Sequence, residues 1–600
     1  MSESQNQEQL EKIRHSAEHV LTYVMLRQFG SNRIIPAMGP ATADGFYFDF
    51  EVKNGDSQET LEISPALFPK FEKEMKKIIQ ANWRLQRREM LMSEALDFFA
   101  ANPYKKDTLE ELGAAGEEKV SIYILAAQEK IAALAADFYV DTSWQEWWDK
   151  GYFVDLCKGP HVEETKEIKV FRLLRVAGAY WHGDEKNQML TRVYGTAFES
   201  EAELEQYLDF LEEAKKRDHK RLGREQDLFH FEPTSPGCVF WHPKGMLVWD
   251  ALEKLGQDLR RKYGYQKIKT PEIAKSELWK ISGHWDHYRD SMFVLDVDEE
   301  EYCLKPMDCP FNIQIYNSAQ RSYRDLPIRY TEIGHVFRSE KSGELNGLFR
   351  VREITQDDSH ILCREDQVGS EIKGLLQMVK EYYASLGVET HFFLSTMPDD
   401  HLGEVRTWQE AENALKQALE SEGLSYELKE KDGAFYGPKI DVDIKDALGR
   451  AWQVATLQLD FQLAGRFGCS YIDQEGKKQT PVIIHNATFG SFERMIGILL
   501  EHFAGRLPVW LAPVQIALLP IADRHVERAM EIARELEAKG WRVEIDKRVE
   551  RLPAKIRDAQ VQQVPYMVVV GDAELEMPLA EMQARVREGG NSTLGEILAN

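Results

Sequence analysis

The sequence predicts an α+β protein of several domains, on three observations. Its 600 residues exceed what one hydrophobic core organises. The middle of the chain holds long segments that alternate like strands of an antiparallel sheet. From Pro513 the pattern changes to short apolar strands separated by amphipathic helices, the mark of a small parallel sheet. These breaks divide the chain into an N-terminal α/β domain over 1–200, a connecting helix over 201–225, a central antiparallel-sheet domain flanked by helices over 226–508, and a C-terminal α/β domain over 509–600.

Composition excludes several classes. No window approaches ~18 uninterrupted apolar residues, so no membrane span or membrane partner is expected. The polar start MSESQNQEQLEKIRHS lacks the apolar core of a signal peptide. Six scattered cysteines (Cys157, Cys238, Cys303, Cys309, Cys363, Cys469) are too sparse for a disulfide framework and suit a reducing cytoplasm. A net charge of −25 argues mildly against nucleic acid as partner, but leaves room for a local basic groove.

In chain order, residues 9–29 read as a helix and PAMGPATADGFYFDFEV as a turn followed by a strand. His15 and His19 stand four apart on that helix, on one face, while Cys157 and His161 in VDLCKGPH share the interval on a Gly-Pro turn. HxxxH with CxxxH, taken alone, reads as a four-ligand zinc site. The connecting helix carries Leu204, Tyr207, Leu208 and Leu211 at helical spacing; its basic end KKRDHKR is equally a solvated face. YRDLPIRYTEIGHVF, AFYGPKIDVDI and GRAWQVATLQLDF supply central strands. VQIALLP, a helix with Val526, Ala529, Met530, Ala533 and Leu536 on one face, WRVEID, a second helix and PYMVVVG complete a βαβαβ unit.

The densest chemistry lies in RYTEIGHVFRSEKSGELNGLFRVREITQDDSH, residues 329–360. Strand alternation puts Arg338 and Glu340 on one face, a phosphate-gripping cation beside a carboxylate that accepts from an exocyclic amine. GYQKIKTPEI, which carries Pro271 near its end, precedes it, and IIHNATFGSFERMIGILLEHF, with Arg494 on a helix after a Gly-rich approach, follows. These three segments, in this order, resemble the three motifs of the class II aminoacyl-tRNA synthetases, and TQDDSH resembles the threonyl members.

That resemblance implies a threonine–tRNA ligase: threonine, ATP and tRNA(Thr) give threonyl-tRNA, AMP and pyrophosphate. Arg338 would bind the α-phosphate, Glu340 the adenine amine, and Arg350 and Arg494 the phosphate tail and adenine side, with Mg²⁺ on the phosphates. Cys309, His360 and His485 would hold one Zn²⁺, which threonine ligates through amine and hydroxyl and valine does not; a buried Cys and two core His are the plain alternative. Gln356, Asp358, Tyr436, Lys439, Gln453 and Gln458 match substrate positions, Asp358 on the hydroxyl and Lys439 and Gln453 nearer ATP. Serine also offers an amine and a hydroxyl, so such an enzyme needs a hydrolytic site. His15, His19, Lys105, Asp155, Cys157 and His161, with YWHGDEKNQMLTRVYGTAF, resemble the editing module of threonyl and alanyl enzymes. Pro271 implies a homodimer, and the C-terminal unit an anticodon-binding domain.

Some positions depart from the family pattern. Phe311-Asn312 stands for Gly-His, Ile354 for an adenine-stacking aromatic, Val549 for Asn, Pro553 for Gly, and LEMPLAEMQARVREGG for a basic strand. The ubiquitin-like domain that often precedes editing is expected to be absent, since His15 lies so near the start. Two other readings stay open: a relative activating another small or β-hydroxy amino acid, and a non-aminoacylating tRNA-binding regulator.

Overall fold

The computed structural model describes residues 3–53, 61–134 and 142–576. The LEMPLAEMQARVREGG segment therefore lies, from residue 577 on, outside the described residues. The chain forms two compact units, Met1–Leu211 and Glu212–Asn600.

In the first unit, the helix Glu3–Phe29 buries Ile13, Ala17, Val20, Leu21 and Val24 at helical spacing. They share one core with Phe46, Phe48 and Phe50, which alternate along the strand Gly45–Val52. That strand belongs to an antiparallel sheet in the order Ile34–Pro36, Gly45–Val52, Met189–Phe198, Val170–Tyr180, with Ala41–Thr42 paired to Gly45–Val52. Arg84–Leu91, Lys119–Ala126 and Phe153–Leu156 form a second antiparallel sheet. The connecting segment is two helices, Glu201–Arg217 and His219–Glu225, because the Asp218 carboxylate accepts from the amides of Lys220 and Arg221 and starts a new helix.

The second unit is built on eight strands in the order Gln266–Lys267, Ile328–Phe337, Glu353–Cys363, Val482–Ser491, Ala451–Asp460, Lys439–Lys445, Thr390–Ser395, Tyr426–Lys429. All neighbours are antiparallel except the first and last pairs. One face meets helices. Val368–Leu386 buries Ile372, Leu375, Leu376, Val379, Tyr382, Tyr383 and Leu386 against Ile361, Ile484, Leu457, Leu459, Ile440 and Val442 of the sheet. It stops at Gly387, whose φ of +71° is the left-handed cap that glycine adopts without strain. Residues one step out of phase with that apolar set face the other way, and the site is made of them.

The βαβαβ tail is observed as expected: Val543–Ile545, Ile516–Pro520 and Tyr566–Val570 pair in parallel, with helices Val526–Glu537 and Leu552–Val561. Among the described residues no helix is long and apolar enough to cross a membrane.

Candidate functional site

The register of the central sheet lines up the metal and substrate candidates. His360 lies opposite His485, His485 opposite Gln458, and Gln458 opposite Lys439, so four side chains from four strands make one row on one face. Along Glu353–Cys363, Gln356 and Asp358 share that face with His360. The residues between them face away and hold the sheet to its helices. Arg260 binds Asp357 at 3.2 Å and Ser359 at 2.8 Å, and Glu493 accepts from the Thr355 amide at 3.1 Å. TQDDSH thus splits into a face that carries the candidate residues and a structural one.

Cys309 enters from the helix Cys309–Asn317, and its ligand atom and those of His360 and His485 all lie within 4.8 Å of one another, every one of the three residues buried. The surroundings fit a cation. Burial, then the carboxylates of Asp358, Asp308 and Asp460, push the Cys309 thiol well up, so the free site disfavours a thiolate that a divalent ion would favour. Burial holds His360 neutral, the ligating form. Its Nδ1 has no hydrogen-bond partner among the described residues, 3.9 Å from Asp358. His485 Nε2 sits 3.0 Å from Asp460 Oδ2, an outer partner that orients the ring. Tyr436 closes the group, its hydroxyl donating to Gln458.

Arg338, Glu340, Arg350, Gln356, Gln453 and Arg494 line a second space, a cavity of about 310 Å³. The strand Ile328–Phe337 ends before Arg338, so Arg338 and Glu340 share this cavity as expected, but not by the strand alternation expected to put them there. They lie on a turn in which the Glu340 amide donates to the Arg338 carbonyl at 2.8 Å. Glu340 instead accepts from Arg350 Nε at 2.9 Å, and Arg350 also pairs with Glu344 at 2.8 Å. Arg494 donates to the Phe349 carbonyl at 3.2 Å. Desolvation, then the like charges of Arg338 and Arg350, lower its affinity for a proton, only partly offset by Glu340. Three guanidiniums against two carboxylates, both of them on Arg350, ask for a polyanion. Ile354 lines this cavity too, and the aromatic in its wall is Phe349.

Sequence reasoning missed the residues that join these spaces. Asp441, fully buried, accepts from Lys439 at 2.6 Å, Ser395 at 2.7 Å and Gln453 at 2.7 Å. Only the alternation of KIDVDI hinted at it. Lys305, Asp308, Glu332, Thr270 and Asn312 form a further buried network, with Lys305 2.6 Å from Asp308 and Asn312 donating to Glu332 at 3.2 Å. Phe311 and Asn312 thus have packed, bonded places.

In the first unit, His15, His19, Cys157 and His161 bring four ligand atoms within 4.8 Å of one another. Cys157 Sγ lies 3.3 Å from His15 Nε2 and 3.2 Å from His161 Nε2. Lys105 Nζ pairs with Asp155 at 2.6 Å, both buried. Burial, then Asp155, push the Cys157 thiol up to about 12, and burial lowers His15 to about 4 and His161 to about 2, so imidazoles and thiol are neutral near pH 7. Glu18, fully buried beside them, was not anticipated; its carboxyl is raised well above the usual range by burial and then by Asp155.

A larger cavity of about 680 Å³ lies against the C-terminal sheet and adjoins none of the anticipated residues. There Arg548 is held by Asp546 at 2.6 Å and Asp558 at 2.9 Å, and Lys555 Nζ donates to the Pro520 carbonyl at 2.9 Å. Val549 is 88% exposed and Pro553 opens the helix Leu552–Val561.

Three families match the chain: "tRNA synthetase class II core domain (G, H, P, S and T)" over residues 293–503, "Anticodon binding domain" over 515–596, and "Threonyl and Alanyl tRNA synthetase second additional domain" over 148–194. The threonine–tRNA ligase of Thermotoga maritima is 45% identical over 580 residues, 96% of this chain and 85% of that protein. That of Acetivibrio thermocellus is 45% identical over 574 residues, 95% of this chain and 85% of that protein. Among solved structures, the RNA binding domain of threonyl-tRNA synthetase from Cryptosporidium parvum Iowa II superposes with a TM-score of 0.59 at 41% identity, covering 64% of this chain and 97% of that one.

Proposed function

The chain belongs to the threonyl-tRNA synthetases, class II enzymes that ligate threonine to tRNA, and we propose how its residues divide that work. The observation carrying the proposal is the sheet face on which the Cys309–His360–His485 group adjoins the three-arginine cavity. The threonine carboxylate attacks the α-phosphorus of ATP, and the bond to pyrophosphate breaks. The protein contributes position and charge neutralisation. Arg338 meets the α-phosphate, Arg350 and Arg494 the phosphate tail and adenine side, and Glu340 the adenine amine. ATP comes with Mg²⁺. Lys439 and Gln453 face the nucleotide, held there by Asp441; Gln356, Asp358, Tyr436 and Gln458 enclose the amino acid. When bound at Cys309, His360 and His485, a zinc ion supplies Lewis-acid coordination for an amine and a neighbouring hydroxyl, a pair that valine lacks.

Amino-acid-dependent ATP–pyrophosphate exchange with threonine, serine and valine, before and after zinc chelation, tests this. Strong threonine exchange, some with serine, none with valine, and loss on chelation are expected. No exchange with any of them would point to a tRNA-binding regulator. Asp441→Asn should lower kcat/KM for threonine activation about a hundredfold, since it frees both Lys439 and Gln453 to move by an ångström or so. The same exchange assay reads it.

The first unit is proposed to proofread. Water adds to the ester carbonyl of seryl-tRNA(Thr); its proton passes through an imidazole to the departing ribose oxygen, releasing serine and tRNA. His15, His19, Lys105, Asp155, Cys157 and His161 form the pocket. His15→Ala should leave aminoacylation intact and let seryl-tRNA(Thr) accumulate; no accumulation would refute the assignment. The working boundaries are 1–200 for editing, 201–225 for the connection, 226–508 for catalysis and 509–600 for anticodon binding. A homodimer completes the proposal, supported by the exposed Ile273, Val294, Leu295 and Val297 on the sheet of Ile273–Lys275, Glu300–Leu304 and Val294–Val297.

A further inference from the structure

The proofreading pocket contains one acid that its pairings leave over. Lys105 neutralises Asp155 at 2.6 Å. Glu18 has no such counterion, and neither of its carboxyl oxygens has a hydrogen-bond partner among the described residues. It is fully buried on the helix Glu3–Phe29, between the two histidines of HSAEH. Its Oε2 lies 3.7 Å from His15 Nε2 and 3.7 Å from His19 Nε2. A buried carboxyl without a partner is costly, by roughly 1–3 kcal/mol or more. A fold that keeps one at the centre of a cluster of imidazoles is using it.

Which ring nitrogen of a histidine holds the proton is set by what the other nitrogen faces. His19 Nε2 faces two carboxyls, Glu18 at 3.7 Å and Asp155 at 3.8 Å. The opposite nitrogen, Nδ1, is buried and has no partner among the described residues. The gaps are longer than a hydrogen bond, as catalytic contacts often are before substrate tightens them. A proton on Nε2 would point at both acids.

We propose that Glu18 is a positioning residue of this pocket: its Oε2 faces the Nε2 edges of both His15 and His19, and together with Asp155 it holds these imidazoles in the orientation that hydrolysis needs. Glu18 touches neither water nor ester. It acts through His19, and through His15 on the same oxygen. The inference rests on the proofreading reading of the pocket.

The test is hydrolysis of preformed seryl-tRNA(Thr) by the full-length enzyme and by E18L, E18Q and H19A, with threonine aminoacylation in the same preparations as the check on folding. E18L should lower kcat for hydrolysis about a hundredfold, the low end of what positioned proton transfer contributes, with KM within about twofold. E18Q, whose amide oxygen still accepts from Nε2–H, should recover to within about tenfold of wild type. Aminoacylation should be unchanged in both. E18L hydrolysing like wild type would overturn the inference, as would a loss confined to KM. Zinc retained by the pocket in a Cys309→Ser background would also overturn it, since Glu18 would then be balancing a cation's charge. If the wild-type enzyme leaves seryl-tRNA(Thr) intact, the proofreading reading itself fails, a result distinct from a silent Glu18.

Discussion

Cys309→Ser is expected to cut threonine-dependent pyrophosphate exchange by more than about a hundredfold, because removing a direct ligand of the proposed zinc exceeds the 10–100-fold cost typical of outer-sphere partners. The hydroxyl is nearly isosteric with the thiol, so the helix Cys309–Asn317 and the packing around a residue only 4% exposed should survive. What changes is the donor set. A thiolate carries a charge to a divalent ion, and a serine hydroxyl does not at neutral pH. His360 and His485 stay opposite one another in the sheet, but two neutral imidazoles hold zinc far less tightly. Metal content by mass spectrometry should fall from one zinc per chain to well below one, with the thermal midpoint of the metal-free protein unchanged. Full activity in zinc-free Cys309→Ser protein would remove zinc from the mechanism.

How much of this could be read from the sequence depends on whether alternation holds locally. In TQDDSH it does: Gln356, Asp358 and His360 share a face, and the register with Val482–Ser491 adds His485. Gln453 is different. It stands three residues from Thr456, which alternation places on opposite faces. The register slips between Val442 and Asp443, and this bulge brings Gln453 onto the side where Asp441 accepts its amide at 2.7 Å. A second slip lies between Gln356 and Asp358 on the pairing with Val482–Ser491. No spacing rule exposes such slips; motif resemblance found Gln453 only because it carries the geometry with the letters. The same limit explains Arg338 and Glu340, which sit past a strand end that periodicity did not locate. Asp441, Glu18 and Asp460 escaped because they act on other side chains, and an acid in KIDVDI or HSAEH looks like any polar residue until its burial is known. The fold's larger divisions were legible because each rests on many residues at once: the βαβαβ tail on a whole sequence of apolar runs, the central sheet on three long alternating segments.

Arg338→Ala should lower kcat/KM for threonine activation about a thousandfold, some 4 kcal/mol, the upper range for deleting one preorganised charge-stabilising donor. Of the three cavity arginines it is the least committed. Arg350 is held by Glu340 and Glu344, and Arg494 donates to the Phe349 carbonyl. Among the described residues Arg338 makes no ion pair, its Nε has no hydrogen-bond partner, and its guanidinium lies over the Tyr288 ring at 5.7 Å. A buried donor left open in the resting protein is one whose partner arrives with the substrate. Stability should move the opposite way from activity. Arg338 is the first of the like charges acting on Arg494, so its removal relieves repulsion between the two guanidiniums. The thermal midpoint of Arg338→Ala should therefore equal or exceed that of wild type, while ATP should raise it by much less than it raises the wild-type value, because the lost affinity reduces the ligand's stabilising effect. Thermal shift with and without ATP, beside pyrophosphate exchange, reads both quantities. A midpoint several degrees lower with kcat/KM within tenfold of wild type would make Arg338 a structural residue, and the phosphate-gripping role would pass to Arg350 and Arg494.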